Sequence, residues 1–311
     1  MALTTSIDRV DESGRELLSY GTSQFPIAFF DDDLTQVSVP YHWHDELEFV
    51  IITEGTVQAR IAGKVFDLSA GEGYFANSAV LHAETLHTPT GHQHAAVFAP
   101  GLLAGRQDLA WKTYVEPILG RRELPFIRLT FSVPWQREVL RLAESAWEMG
   151  ACEKKDYPLH VRHCLALAFS LLVDHAPGLE SEVRYTEKDR RDELRIKKAL
   201  TFLEHNYDSA VTIEEIAESA GLGVSSCLRL FHSVLETTPV RYLVKLRLRK
   251  AAEMLERGKG RTIAEVAYAC GFSDASYFNR CFRKEYGKTP SAFAGEERRR
   301  SGQIRIERSP L

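Results

Sequence analysis

Residues 212–239 and 262–290 are two copies of one pattern. "TIEEIAESAGLGVSSCLRLFHSVLETTP" begins at Thr212 and "TIAEVAYACGFSDASYFNRCFRKEYGKTP" at Thr262, so the starts lie fifty residues apart and the second copy is one residue longer. Each copy opens with a capping box, Thr212 with Glu215 and Thr262 with Glu265, in which hydroxyl and carboxylate satisfy the free N–H groups of a first helical turn. Ile213, Ile216, Ala217 and Ala220 follow at i, i+3, i+4 and i+7, as do Ile263, Val266, Ala267 and Cys270, which gives each helix one buried stripe. Gly221 and Gly271 then stand where a left-handed residue ends a helix, and a second helix begins three to four residues later. The pattern predicts two helix-turn-helix units.

The second helix of each unit has two faces. Cys227, Leu230 and Phe231, or Phe278, Cys281 and Phe282, form the apolar one. Ser225, Ser226, Leu228 and Arg229, or Ser276, Asn279, Arg280 and Arg283, form the other. Short polar donors and arginines on an exposed helix suit a DNA major groove, where Arg bonds guanine O6 and N7, Asn bonds adenine N6 and N7, and Ser bonds base or phosphate. Between the copies, "TPVRYLVKLRLRKAAEMLERG" starts with Thr238 as cap and Pro239 at the first helical position. Its Arg241, Lys245, Arg247, Arg249 and Lys250 are candidates for phosphate contact, with ordinary solvated surface as the alternative for each.

Charge agrees with this division. Of the 39 Lys+Arg and 43 Asp+Glu in the chain, residues 192–311 hold 21 and 16, a net of +5, and the remainder holds 18 and 27, a net of −9. A basic C-terminal third suits an anionic partner. The five cysteines lack CxxC spacing and read as small core residues in a reducing compartment. The absence of an apolar leader or a run of about 18 apolar residues points to a cytoplasmic chain without a membrane span.

The N-terminal part has a different period. "LEFVIIT", "TVQARIA", "KVFDLS" and "GYFANS" are short β-rich runs separated by Gly55, Gly63 and Gly71, eight residues apart, as successive hairpins of an antiparallel barrel or sandwich require. From Pro134 the period becomes helical through "PWQREVLRLAESAWEMG" and "YPLHVRHCLALAFSLLVDHAPG". The charged stretch 178–193 has few large apolar residues and reads as a linker.

Within the β-rich part, "HWHDELEFVIITEG" places His42, His44 and Glu48 at even spacing, so on extended chain all three point one way. His82 adds a fourth donor from another strand. Three histidines and a carboxylate suit Fe(II), Mn(II), Ni(II) or Zn(II) with open positions. His87, His92 and His94 lie in a loop-like stretch with Thr and Gly and read as solvent-facing side chains.

Two resemblances follow from these motifs. "IAESAGL", "RLF", "RLRKAAEML" and "IAEVAYACGFSDASYFNRCFRKEYGKTPSAF" make residues 194–295 similar to the DNA-binding domain of the AraC/XylS family of transcription regulators, two helix-turn-helix units on a long helix. That family's base-reading positions fall on Ser225, Arg229, Ser276, Asn279 and Arg280. Leu228 and Ser226 depart from its usual residues, which implies that the first unit reads its half-site mainly by thymine-methyl contact and phosphate grip, or only weakly. The form H-x-H-x3-E-x6-G, with "GEGYFANSAVLH", resembles the cupin-like sensor barrel of the same family. Asn77 stands where proline is usual, Ala79 where glycine is usual, and no glycine precedes His42 at the usual distance. The histidines then line an effector pocket or hold a divalent metal, and no cofactor is required. The stretch from Ala99 to Leu129 resembles members that respond to carbohydrates.

The expected fold is α+β and multidomain: a cupin-like antiparallel barrel with helices over 1–131, a helical dimerisation segment over 132–177, a linker over 178–193, an all-α domain with two helix-turn-helix units over 194–297, and a basic tail over 298–311. The expected function is a homodimeric, sequence-specific regulator of transcription, not an enzyme. Its barrel senses a small molecule, its promoter contacts are Ser225, Ser226, Arg229, Arg241, Lys245, Ser276, Asn279, Arg280 and Arg283, and it meets RNA polymerase if it activates. The rival is a metal-dependent cupin enzyme of dioxygenase or isomerase type with an accessory DNA-binding domain. A third reading is a constitutive DNA-binding protein whose barrel only dimerises.

Overall fold

The computed structural model describes residues 21–295 except 23, 38, 122–123, 154, 184 and 257–260, and for 176–183 the backbone alone. The basic tail therefore lies outside the described residues. The chain divides after Lys197 into two compact units.

The strands of the first unit are β1 (Ile27–Asp33), β2 (Val39–His42), β3 (Leu47–Glu54), β4 (Thr56–Ile61), β5 (Lys64–Ser69), β6 (Gly73–Ala76), β7 (His82–Leu86), β8 (His92–Phe98) and β9 (Phe126–Leu129). They form a five-stranded sheet in the order β1-β8-β3-β6-β9 and a four-stranded sheet in the order β2-β7-β4-β5, antiparallel throughout. The barrel expected from the sequence is thus a pair of facing sheets, with no ladder joining their edges among the described residues. Hairpin spacing specifies neighbours but not closure, which needs a matched shear around the whole ring. Gly55, Gly63 and Gly71 all lie at positive φ, in the turns where the sequence placed them.

Burial separates the two sheets by pattern. The β4 side chains alternate between core and surface, as in a sheet with one wet face, whereas β3 is buried on both faces over Leu47–Ile52. Ala28, Phe30, Val50 and Ile52 face Val57, Ala59, Ile61 and Leu68 across the gap between the sheets. The opposite face of the five-stranded sheet carries Phe29, Phe49, Phe75, Ala96 and Phe98.

Helices cover that second face. After a π-helical turn (Trp111–Val115) come α1 (Glu116–Gly120), α2 (Pro134–Ala151) and α3 (Tyr157–Val183). Val139, Leu140, Ala143 and Ala146 of α2, with Val161, Leu165, Phe169 and Leu172 of α3, join the phenylalanines in one core. Gly150 allows α2 to approach closely, because a Cβ there would sit 2.1 Å from the Phe29 ring.

The segment 178–193, expected as an irregular linker, is helical over 178–183 and 187–193, with Tyr185 and Thr186 outside helix. It spans the end of α3 and the start of α4 (Glu187–Asn206). From Thr186 onward the charged side chains act along α4. Thr186 and Asp189 form a third capping box, with the Thr186 N–H donating to Asp189 at 2.8 Å and the Asp189 N–H to the Thr186 hydroxyl at 3.2 Å. Glu187 pairs with Arg190 at 2.9 Å and Glu193 with Lys197 at 2.9 Å. Low apolar content is a property of the exposed face, and Ile196, Ala199, Leu200 and Leu203 bury the other.

The second unit contains α5 (Ile213–Ser219), α6 (Val224–Leu235), α7 (Pro239–Glu256), α8 (Ile263–Ala269) and α9 (Ala275–Tyr286). Both capping boxes are present, and Gly221 and Gly271 have φ of +65° and +78°. The Arg241 N–H donates to the Thr238 hydroxyl at the start of α7. Ala251, Ala252 and Leu255 of α7 pack with Val266, Ala267 and Cys270 of α8 and with Phe278 and Phe282 of α9. Cys227 and Cys270 are buried as expected, whereas Cys152, at the end of α2, is exposed. No described helix is long and apolar enough to cross a membrane.

Candidate functional site

In both units the second helix is set by an apolar side pressed into the core. Cys227, Leu230 and Phe231 of α6 are buried, as are Phe278 and Phe282 of α9, so the opposite sides of these helices face outward. Ser225, Arg229, Ser276, Asn279, Arg280 and Arg283 are exposed, and Ser226 is half-buried with its hydroxyl accepting from Arg229 at 3.1 Å. The α9 N-terminus is capped by Asp274, whose carboxylate accepts from the Ser276 N–H at 2.6 Å, whereas Gly223 offers α6 no side-chain cap. The Arg280 guanidinium lies 5.9 Å from the Tyr277 ring, which limits its freedom.

The long helix α7 sorts its five cations. Arg241 and Lys245 are exposed, Lys245 pairing with Glu285 at 3.4 Å. The other three are engaged inside the unit, against the expectation of phosphate contact. Arg247 donates to the carbonyls of Tyr207 and Ser209, both at 2.7 Å. Arg249 and Lys250 meet the fully buried Glu204 carboxylate at 2.6 and 3.2 Å. A sequence of alternating basic and apolar residues does not reveal that an acid from α4 will be buried beside two of them.

In the first unit, His42, His44, Glu48 and His82 do come together, though not by strand parity. His42 ends β2 of the four-stranded sheet, Glu48 lies on β3 of the five-stranded sheet, and His44 lies in the crossing between them. His42 is opposite His82 of β7, with ring centroids 4.1 Å apart. Glu48 approaches His82 Nε2 at 2.9 Å and His44 Nε2 at 3.4 Å. All four are buried.

Each histidine is oriented by a backbone carbonyl. His42 Nδ1 lies 2.9 Å from the Pro40 oxygen, His44 Nδ1 3.2 Å from that of Glu46, and His82 Nδ1 2.9 Å from that of Val80. A carbonyl only accepts, so Nδ1 carries a hydrogen on each ring, and Nε2 of His44 and His82 faces the Glu48 carboxylate. Burial opposes ionisation of Glu48, but the positive field of His82 and bonds from both histidines hold its carboxyl well below the ordinary carboxylate range.

The sequence reading missed the other polar groups of this interior. The Tyr74 hydroxyl donates to Glu84 at 2.8 Å, and Gln93 and Asp32 are also buried. Burial and the Glu48 charge push the Glu84 carboxyl up to about 8. The signal was parity: Glu84 is two residues from His82 on β7, and Gln93 shares the face of the buried Ala95 and Val97 on β8.

Known proteins share both halves in the same order. An AraC-like ligand-binding domain matches residues 24–97, and a helix-turn-helix domain matches residues 216–296. The chain belongs to the AraC family of transcriptional regulators. It is 26% identical over 287 residues to the uncharacterized HTH-type transcriptional regulator YdeC of Bacillus subtilis (strain 168), covering 91% of this chain and 97% of that one. The HTH-type transcriptional activator RhaS of Salmonella arizonae is 24% identical over 276 residues, 87% of this chain and 92% of its own. The DNA-binding domain of the global transcriptional factor AdpA, solved with a target DNA, shares 26% identity over 35% of this chain and 97% of that one at a TM-score of 0.33.

As an AraC-family regulator the chain has a ligand-binding domain and a DNA-binding helix-turn-helix domain. The departures noted in its cupin-like half have local explanations. Asn77 donates to the Ile118 carbonyl at 2.8 Å, tying β6 to α1. Ala79 has φ of +57°, the conformation for which glycine is the usual residue. Its N–H donates to the His44 carbonyl at 2.8 Å, and its carbonyl accepts from Lys197.

Proposed function

We propose that this regulator holds a small polar effector, of sugar or sugar-derivative type, between its two sheets, and that occupancy sets its grip on a promoter. The observation that carries this reading is the convergence of His42, His44, Glu48, His82, Glu84, Gln93, Asp32 and Tyr74 in an otherwise apolar gap. Buried polar groups are costly unless bonded, and so many in one place suit a hydroxyl-rich ligand. The promoter contacts are Arg229, Ser225 and Ser226 in the first helix-turn-helix, Ser276, Asn279 and Arg280 in the second, with Arg241, Lys245 and Arg283 on phosphate.

The buried polar cluster has a mechanical outlet. Glu193 on α4 accepts from the Leu81 N–H at 3.0 Å and from the Tyr185 hydroxyl at 2.5 Å, and Lys197, 2.9 Å from Glu193, donates to Ala79. The 79–81 turn thus joins His44 and His82 on one side to α4 on the other. A ligand that shifts this turn biases α4 and with it the promoter-binding population. Two copies joined through α3, where Leu159 and Leu167 are exposed, would double the DNA contacts. RNA polymerase is the further partner if the protein activates.

A second reading is favoured by the three carbonyl-oriented imidazoles. With Glu48 they fit a divalent metal such as Fe(II), Mn(II), Ni(II) or Zn(II), which would supply a Lewis-acidic anchor for the effector's oxygens. Thermal-shift screening of the full chain against sugars, sugar acids and metals, followed by promoter gel shifts, tests both. A sugar that raises the melting temperature and changes promoter affinity supports the effector reading. Promoter binding indifferent to every stabilising ligand leaves the barrel a dimerisation module. Stoichiometric iron or manganese lost in His44→Ala, with turnover of a substrate, would replace it by the enzyme reading.

A further inference from the structure

A second histidine cluster sits on the opposite face of the five-stranded sheet. In the β1–β8 ladder Asp31 is opposite His94 and Asp33 opposite His92. Asp31, His92 and His94 therefore share the face of Phe29, Ala96 and Phe98, the one covered by α2. His92 Nε2 contacts Asp31 Oδ1, and His94 Nε2 lies 3.8 Å from the same oxygen. One ligand atom from each of the three lies within 4.8 Å of the other two.

His94 is held as a ligand would be. Its Nδ1 is 2.8 Å from Glu144 Oε1 on α2. Its ring stacks on Trp147 at 3.4 Å with 6° between planes, and the Trp147 indole N–H donates to the Phe30 carbonyl at 2.8 Å. A carboxylate accepts, so Nδ1 carries a hydrogen, and Nε2 faces the Asp31 oxygen at 3.8 Å. A cation there, whether a second ring proton or a metal ion, makes that approach favourable.

We propose that Asp31, His92 and His94 form a site for a divalent transition-metal ion of the Zn(II), Ni(II) or Co(II) class, distinct from the cluster between the sheets. Bonds of about 2.0–2.2 Å place neighbouring ligand atoms roughly 3.0–3.5 Å apart, so the spacing here needs only small side-chain rotations. Two imidazoles with one carboxylate favour these ions over calcium or magnesium, which take all-oxygen shells. Asp31 and His92 are 38% and 34% exposed, so an ion can enter and complete its shell with water. Glu144 is the carboxylate behind the histidine that commonly fixes such a ligand's orientation.

The test uses the full chain stripped with a chelator and titrated with Zn(II), with Co(II) as a spectroscopic probe. The variant His42→Asn with His44→Gln removes donors between the sheets, and it is expected to keep one equivalent of metal and the Co(II) bands. His92→Asn with His94→Gln is expected to bind one equivalent fewer than the wild type. Glu144→Gln should weaken the retained site about tenfold or more without changing the stoichiometry. Asp31→Asn and His92→Asn singly, checked by circular dichroism, replace the double variant if it does not fold. A folded His42→Asn/His44→Gln protein that binds no metal overturns the proposal, as does an outer-cluster variant that binds as much as the wild type.

Discussion

The two turn glycines of the repeat are equivalent in sequence and unequal in structure, which sets up an internal control. Substituting alanine at either puts a Cβ on a residue in the left-handed region, at φ of +65° for Gly221 and +78° for Gly271, and costs about 1–2 kcal/mol. At Gly221 nothing lies within 4 Å of the new atom. At Gly271 it would sit 2.3 Å from the Tyr207 carbonyl oxygen and 2.9 Å from Arg247 Nε. Backbone cannot rotate away as a side-chain tip can, so the Arg247 bond to Tyr207, 2.7 Å long, is lengthened or broken. A hydrogen bond to a charged group is worth about 1.5–3 kcal/mol. Gly271→Ala should therefore cost about 3–5 kcal/mol in all, roughly 2 more than Gly221→Ala. Urea unfolding of the full chain, followed by helical circular dichroism, reads the difference. With a slope of about 1–3 kcal/mol per molar, the midpoints should separate by roughly 1 M. Coincident midpoints for the two variants would refute the reasoning.

Other consequences follow from the same contacts. Arg280→Ala should reduce specific promoter affinity by about 1–3 kcal/mol and relax discrimination at one base pair, and unchanged discrimination in a gel-shift titration would remove its base-reading role. Lys245→Ala should lower the salt slope of DNA binding by about 1, whereas Arg249→Ala should leave it unchanged because its partner is Glu204. Glu204→Ala leaves Arg249 and Lys250 without that carboxylate and should destabilise the helical unit by about 3–5 kcal/mol in urea unfolding; a loss below about 1 would mean the cluster contributes little. Ala79→Gly relieves the left-handed alanine and should raise the stability of the first unit by up to about 1 kcal/mol, and a lowered melting temperature would contradict that strain.

Much of the architecture was legible because its signals are local. A capping box needs residues three apart, a helix stripe needs a period of 3.6, and a turn glycine needs only its own φ. The repeat therefore announced both helix-turn-helix units and the outward faces of α6 and α9. The segment 178–193 misled for a related reason: its capping box at Thr186 and Asp189 is the same device as at Thr212 and Thr262, but it was masked by a charge density that reads as unstructured. The His42, His44, Glu48 and His82 set was found with the wrong geometry, since parity on one strand was assumed where the chain crosses from one sheet to the other.

What the sequence determined by itself was the identity of the elements, the buried stripe of each helix and the residue types offered to DNA, all of which depend on near neighbours in the chain. What only the tertiary structure decided was which distant groups meet. Glu204 pairs with Arg249 and Lys250, Glu84 and Tyr74 join the histidine cluster between the sheets, and Asp31 meets His92 and His94 from about sixty residues away across the β1–β8 ladder. The physical reason is that electrostatic and hydrogen-bonding partners act through a few ångströms of space, and the register of strands and the crossing of helices that create those distances are set by packing the whole core.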